Sequence, residues 1–191
     1  MRDIIKSGAA LFLITALFTL ALSVTNLLTR DIIAQAQAEN RALARTYVLP
    51  GVDAFSADMT VGSDGLVGYA VGFSANQPIG IVAEMSVVAY FPGLTFLVGV
   101  DLDGNITGLN ILAHRETPGL GDRIENAAWR GSFIGGSSPI DAYVQSITGA
   151  TITVDAVFAG VDVAIAYLQT NVLPNIDNYA PDVEQGGSVH D

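Results

Sequence analysis

The chain has 191 residues, half of them hydrophobic and only 14% charged, with eight basic against 19 acidic residues and a net charge of -11. That is one modest domain with an appendage; its mean hydropathy of +0.45 is too high for an ordinary soluble domain and too low for a polytopic membrane protein. No cysteine and only two histidines are present, which excludes disulfides, thiolate metal centres, thiol nucleophiles and a multi-His metal site. The acidic balance argues against nucleic acid as a partner, so any redox chemistry needs an organic cofactor.

From Ser7 to Leu28 no residue is charged, and Phe12, Leu13, Ile14, Leu17, Phe18, Leu20 and Leu22 fill the stretch. About 20 such residues cross a bilayer as a helix. Arg2 and Lys6 precede it, which by the positive-inside tendency puts the N-terminus in the cytoplasm. Ala34-Gln35-Ala36 fits a signal-peptide cleavage rule. The apolar run is longer than a signal core, and Arg30-Asp31 interrupts the approach, so a retained anchor is the favoured reading. Either way the remainder lies outside the cytoplasm, at the plasma (inner) membrane. Beyond Arg30 it carries 18 acidic residues against five arginines and no lysine, a surface read first as a source of solubility.

Residues 31 to 46 are rich in Ala, Gln, Glu and Arg and predict a helical stalk, ended by Pro50-Gly51. Residues 52 to 66 are turn-rich. Strands are expected over Leu66–Phe73, Ile79–Tyr90, Leu94–Leu102 and Ile106–Leu112, with Asp103-Gly104-Asn105 as a hairpin turn. Residues 122 to 130 read as a short helix. A long helix is predicted from Ile152 to Thr170, capped by Thr151 or Thr153 and closed by Pro174. The tail after Asn171 is expected to fray. The organisation expected is therefore anchor 1–30, stalk 31–50, one α+β domain 51–175 and polar tail 176–191.

Several motifs fail. Asp101-x-Asp103-x-Asn105 opens like a calcium loop, but Ile106 and Leu112 stand where Gly and Glu are required. Gly119-x-Gly121 lacks the third glycine of a dinucleotide fingerprint. His114 and His190 are too far apart in the fold to be read as a pair, and no Ser-His-Asp arrangement stands out, so no catalytic residue is assigned.

Two segments carry chemistry. In His114-Arg115-Glu116-Thr117-Pro118-Gly119-Leu120-Gly121, Pro118 and two glycines hold a slim backbone that a planar ligand can approach, with Leu120 projecting to pack on a ring. The competing reading is a tight turn with a buried leucine. In Thr148-Gly149-Ala150-Thr151, two hydroxyls flank two small residues just before a helix N-terminus, where N–H groups and the dipole favour a phosphate. Taken alone, that segment reads first as ordinary helix capping by Thr.

Together, about thirty residues apart and behind one anchor, the two segments resemble the FMN-binding domain family. Its membrane-anchored members are the G subunit of the Rnf complex and the C subunit of sodium-translocating NADH:quinone oxidoreductase; the length of this chain favours the first. The resemblance implies a single membrane helix followed by one extracytoplasmic FMN-binding domain. It implies FMN joined covalently to Thr151 by a phosphodiester bond, installed by a separate flavin transferase that uses FAD. Thr148, Gly149 and Ala150 would complete the attachment motif. Leu120 and the backbone of Thr117, Gly119 and Gly121 would contact the flavin ring, and Glu116 would join them or fix the loop by hydrogen bonding. The implied partners are the other subunits of an ion-translocating ferredoxin:NAD oxidoreductase, the transferase and membrane lipid. One departure is visible: family members carry Asp three residues before the motif, where this chain has Gln145. A membrane-tethered flavin sensor is the alternative from another class.

Overall fold

A computed structural model describes residues 2–182. It divides after Ala42 into two units. The first belongs to a long helix, α1 (Arg2–Val48). Along Leu11–Arg30 the helix is apolar and none of it is buried. Such a stretch in water would expose far more contiguous apolar surface than a soluble chain tolerates; in lipid its length fits. Its polar side chains are compatible with lipid, since the hydroxyls of Thr15, Thr25 and Thr29 donate to carbonyls of Leu11 (3.0 Å), Ala21 (2.9 Å) and Thr25 (2.6 Å) one turn back.

The second unit is an antiparallel meander with helices on one face. Its strands are β1 (Ala54–Phe55), β2 (Met59–Ser63), β3 (Leu66–Ser74), β4 (Gln77–Val88), β5 (Pro92–Asp101) and β6 (Ile106–Ala113). The order is β1-β3-β4-β5-β6, with β2 also paired to β3. The Asp101 carboxylate closes the last hairpin by accepting from the N–H groups of Asp103 and Asn105, at 3.0 and 2.8 Å. The central strands are apolar on both sides because both sheet faces are covered. Ile81, Ala83, Met85, Phe96 and Val98 meet α3 (Thr151–Tyr167) through Val154, Val157, Phe158, Val161 and Ile165. Val82 and Leu97 point the other way, onto Ala44, Val48 and Leu49.

That second contact uses the end of α1. Of the stretch expected as a stalk, residues from Leu43 group with the domain. Glycines on four strands make the trough that admits them. A Cβ on Gly108 would lie 2.7 Å from Val48 Cα, and one on Gly80 would lie 2.7 Å from a Leu49 methyl. The Thr107 hydroxyl donates to the Val48 carbonyl at 2.5 Å.

Three expectations need correction. The helix expected over 122–130 is broken at Asn126 into a 3-10 turn (Gly121–Glu125) and a short helix, α2 (Ala127–Gly131). The Asn126 side chain caps α2 by accepting from the N–H groups of Ala128 and Trp129. Neither Thr151 nor Thr153 caps α3, whose N-cap is Ala150. Nor does Pro174 close the helical run: α3 widens into a π turn (Leu168–Val172) and then a 3-10 turn (Leu173–Asn178). Pro174 fits there because a first-turn position needs no N–H donor. The tail packs as far as Asp182. The Tyr179 and Tyr69 hydroxyls pair at 2.8 Å, and the Asp182 N–H donates to the Phe55 carbonyl at 2.8 Å. Residues 183–191, with His190, lie outside the described residues.

Candidate flavin site

An antiparallel meander sends alternate turns to the same end of the sheet. The β4–β5 turn, with Tyr90 and Phe91, therefore lies beside the end of β6, where the segment from His114 begins. Thr117 starts a tight turn, its carbonyl accepting the N–H groups of Leu120 and Gly121, both at 3.1 Å. Gly119 takes φ of +80° inside it, a region costly for any other residue. The start of α3 closes the third side, led in by Gly149 at φ +87°.

Glu116 ties these three segments together. It is 6% exposed. One carboxylate oxygen accepts the Phe91 N–H at 3.1 Å, and the other accepts the Thr153 hydroxyl at 2.6 Å. The hydroxyl expected at the helix cap is thus engaged by a side chain 37 residues earlier. His114 steadies the loop from behind, its Nδ1 accepting the Glu116 N–H at 3.1 Å while Nε2 faces Glu125 at 3.0 Å. With Nδ1 accepting, the ring N–H is on Nε2 and donates to the Glu125 carboxylate.

The segments enclose a cleft of about 390 Å³, within the range of roughly 300 to 1,000 Å³ usual for organic ligands. Glu116, Thr117, Leu120, Gly121, Gly149, Ala150 and Thr151 line it together. Gly119 shapes the turn without lining the cleft. Thr148 faces a neighbouring cleft of about 310 Å³ with Arg123, Asn126, Trp129 and Gln145, and its carbonyl accepts from the Arg123 guanidinium at 3.2 Å. Thr151 is exposed at the first turn of α3, and Leu120 stands half-exposed opposite.

The residues present suit FMN. A half-exposed leucine and slim glycine backbone offer a surface for a flat ring, and a Cβ on Gly121 would crowd the Glu116 side chain to 2.7 Å. The N–H groups at the start of α3 favour a phosphate beside Thr151.

Comparison with known proteins agrees. Residues 92–166 match the FMN-binding domain family and residues 1–46 match the RnfG N-terminal region. The G subunit of the Na(+)-translocating ferredoxin:NAD(+) oxidoreductase complex of Acetobacterium woodii is 30% identical over 193 residues, covering 88% of this chain and 93% of that one. The chain belongs to the family of Rnf G subunits. The G subunit of the ion-translocating oxidoreductase complex of Stutzerimonas stutzeri is 31% identical over 173 residues, 80% of this chain and 75% of the relative. A solved structure, Shewanella oneidensis NqrC, is similar over 66% of this chain and 70% of that one, at 20% identity and a TM-score of 0.47.

In this G subunit the FMN-binding match contains both segments singled out in the sequence. It leaves out Tyr90, which lines the cleft from the β4–β5 turn. Tyr90, Ile152 and Thr153 were not assigned to the site from sequence. The regular meander was the available signal for Tyr90, since it puts the β4–β5 turn at the end of the sheet where β6 stops.

Proposed function

We propose that this G subunit carries FMN covalently on Thr151, through a phosphodiester bond to the side-chain oxygen, and passes electrons within a membrane-bound ion-translocating ferredoxin:NAD oxidoreductase complex. The observation that carries the proposal is the unequal placement of three neighbouring threonines. Thr148 is exposed but faces the neighbouring cleft, and Thr153 is buried with its hydroxyl committed to Glu116. Of these three, only Thr151 is both exposed and on the cleft wall; Thr117, also exposed on that wall, belongs to the loop after β6 and not to the attachment segment. A threonine hydroxyl is a weak nucleophile, so a separate flavin transferase must reach it, and Gly149-Ala150 keeps the approach narrow.

FMN supplies the reversible acceptance of electrons. The chain supplies the rest. Thr151 retains the cofactor, the N-terminal turn of α3 faces the phosphodiester charge, Leu120 packs on the ring, and Glu116 holds the loop against α3. Gly119 shapes that loop, and Thr148 belongs to the segment the transferase reads. The apolar stretch of α1 holds the subunit in lipid, and Arg2 and Lys6 ahead of it support an N-terminus on the cytoplasmic side with the domain outside. Other subunits of the complex donate and accept the electrons.

The intact mass of the denatured protein from its native host tests this. A gain equal to FMN less one water, lost in Thr151→Ala, is expected. An unmodified mass without in-gel flavin fluorescence would exclude covalent attachment.

A further inference from the structure

Among the described residues, the buried polar and charged side chains are Ser56, Glu116 and Thr153. Glu116 is the sole ionisable one, and it lies on the wall of the cleft. Its two hydrogen bonds come from neutral donors, the Phe91 N–H and the Thr153 hydroxyl. No arginine, lysine or histidine forms an ion pair with it among the described residues. The carboxyl group is therefore oriented by neutral donors, with no ion-pair partner.

As a structural tie alone this is a poor choice. Placing a carboxylate away from water costs free energy unless it is paired or coordinated. A glutamine would tie the same segments without a charge, its amide oxygen accepting from Phe91 and its amide nitrogen donating to Thr153. Nearby residues instead accommodate the carboxylate. Gly121 leaves the space that a Cβ would take from the Glu116 Oε2, at 2.7 Å, and His114 fixes the backbone of Glu116 from the other side. A local rule broken at a ligand site, with neighbours arranged to sustain the break, marks a functional group.

We infer that the Glu116 carboxylate tunes the cofactor, holding the reduction potential of a flavin in this cleft lower than a neutral side chain would. The inference rests on the reading of the cleft as the FMN site. Reduction adds negative charge to the ring. A fixed negative charge in the wall, on the side away from solvent, opposes that addition more strongly than an exposed carboxylate can. Glu116 is thus a tuning residue as well as a positioning one, and the two roles separate by substitution. Glu116→Gln removes the charge and keeps both bonds. Thr153→Val removes one bond and keeps the charge. Asp177→Asn removes one exposed charge outside the cleft.

The test is a spectroelectrochemical titration of the full-length, flavin-bearing protein purified from its native host, for the wild type and these three variants. Glu116→Gln is expected to shift the one-electron equilibrium about tenfold toward reduced flavin, which raises the midpoint potential by about 59 mV. Thr153→Val should change it less, and Asp177→Asn should leave it near the wild-type value. An unchanged potential in Glu116→Gln overturns the inference, as does an equal shift in Asp177→Asn. If Glu116→Gln acquires no flavin while Thr153→Val does, Glu116 acts in attachment and the tuning role is overturned. A wild-type protein without flavin would instead overturn the reading of the cleft itself.

Discussion

Gly99→Ala offers a sharp test of how the end of α1 is joined to the sheet. Gly99 lies in β5, opposite Gly108 on β6 and Val82 on β4, without the positive φ that would by itself require glycine. A Cβ there would collide with the Val48 carbonyl and come within 2.6 Å of the Thr107 hydroxyl oxygen. The first obstacle is backbone, so it cannot swing aside. The helix end has to lift, exposing Val48 and Leu49, now 0% and 2% exposed, and breaking the Thr107–Val48 hydrogen bond. Burying a Val or Leu side chain contributes about 1.5–3 kcal/mol, and a hydrogen bond contributes about 1 kcal/mol. Relief of glycine entropy returns about 0.5–1 kcal/mol. The expected loss is thus about 3–6 kcal/mol, an upper range because unfolded chains already bury some surface. Urea unfolding of the full chain in detergent, followed by Trp129 fluorescence, measures it. Gly131→Ala is the control: nothing lies within 4 Å of its Cβ position, and its effect should stay within about 1 kcal/mol. A Gly99→Ala midpoint equal to that of the control would refute the packing argument.

Other predictions follow from single features of the domain. Gly149→Ala places a side chain at φ +87°, which costs about 1–2 kcal/mol; it should lower the yield of flavin-bearing protein by in-gel fluorescence more than it lowers the unfolding midpoint. Asn126→Ala removes the two bonds that cap α2 and should cost about 0.5–2 kcal/mol in urea unfolding. Burial, and then the hydrogen bond to Tyr179, push the Tyr69 hydroxyl above its ordinary value of 10. The folded state therefore favours the neutral phenol, and its stabilisation is complete below pH 10 and declines as pH rises beyond it. Tyr69→Phe should flatten the fall in stability above pH 10.

Much of this was legible in the sequence, and the exceptions share a cause. The apolar run behind Arg2 and Lys6, the strands from Leu66 onward and the Asp101–Asn105 turn depend on local patterns, and the chain follows them. The loop also meets Gly149, Ala150 and Thr151 at one cleft, as the family pattern implied, while Thr148 faces another. The departures arise where a distant partner overrode a local preference. Thr153 has the chemistry of a cap, yet its hydroxyl goes to Glu116. Pro174 has the chemistry of a stop, yet Val172, Tyr179 and Asp182 keep the chain on the domain. The role of Leu43–Leu49 could not be read from a composition of good helix formers. It depends on glycines in four strands aligning under Val48 and Leu49, and that alignment is a property of sheet register.

The same geometry bears on why the covalent bond proposed above would suit a flavin here. Organic ligands held tightly without one usually have about 70–90% of their surface buried. Here the cleft is rimmed by Tyr90, Leu120 and Ile152, which are 62%, 47% and 59% exposed, so a ring resting against them keeps an open edge. An electron carrier needs that edge, because exchange with partner subunits requires approach to the ring. Closing the cleft for affinity would bury the edge; opening it without a bond would let the flavin dissociate. The proposed bond at Thr151 would separate the two demands. Retention would then fall to one atom on a helix whose other face is locked into the core by Val154, Val157, Val161 and Ile165, which would free Leu120 and Glu116 for the roles proposed for them above.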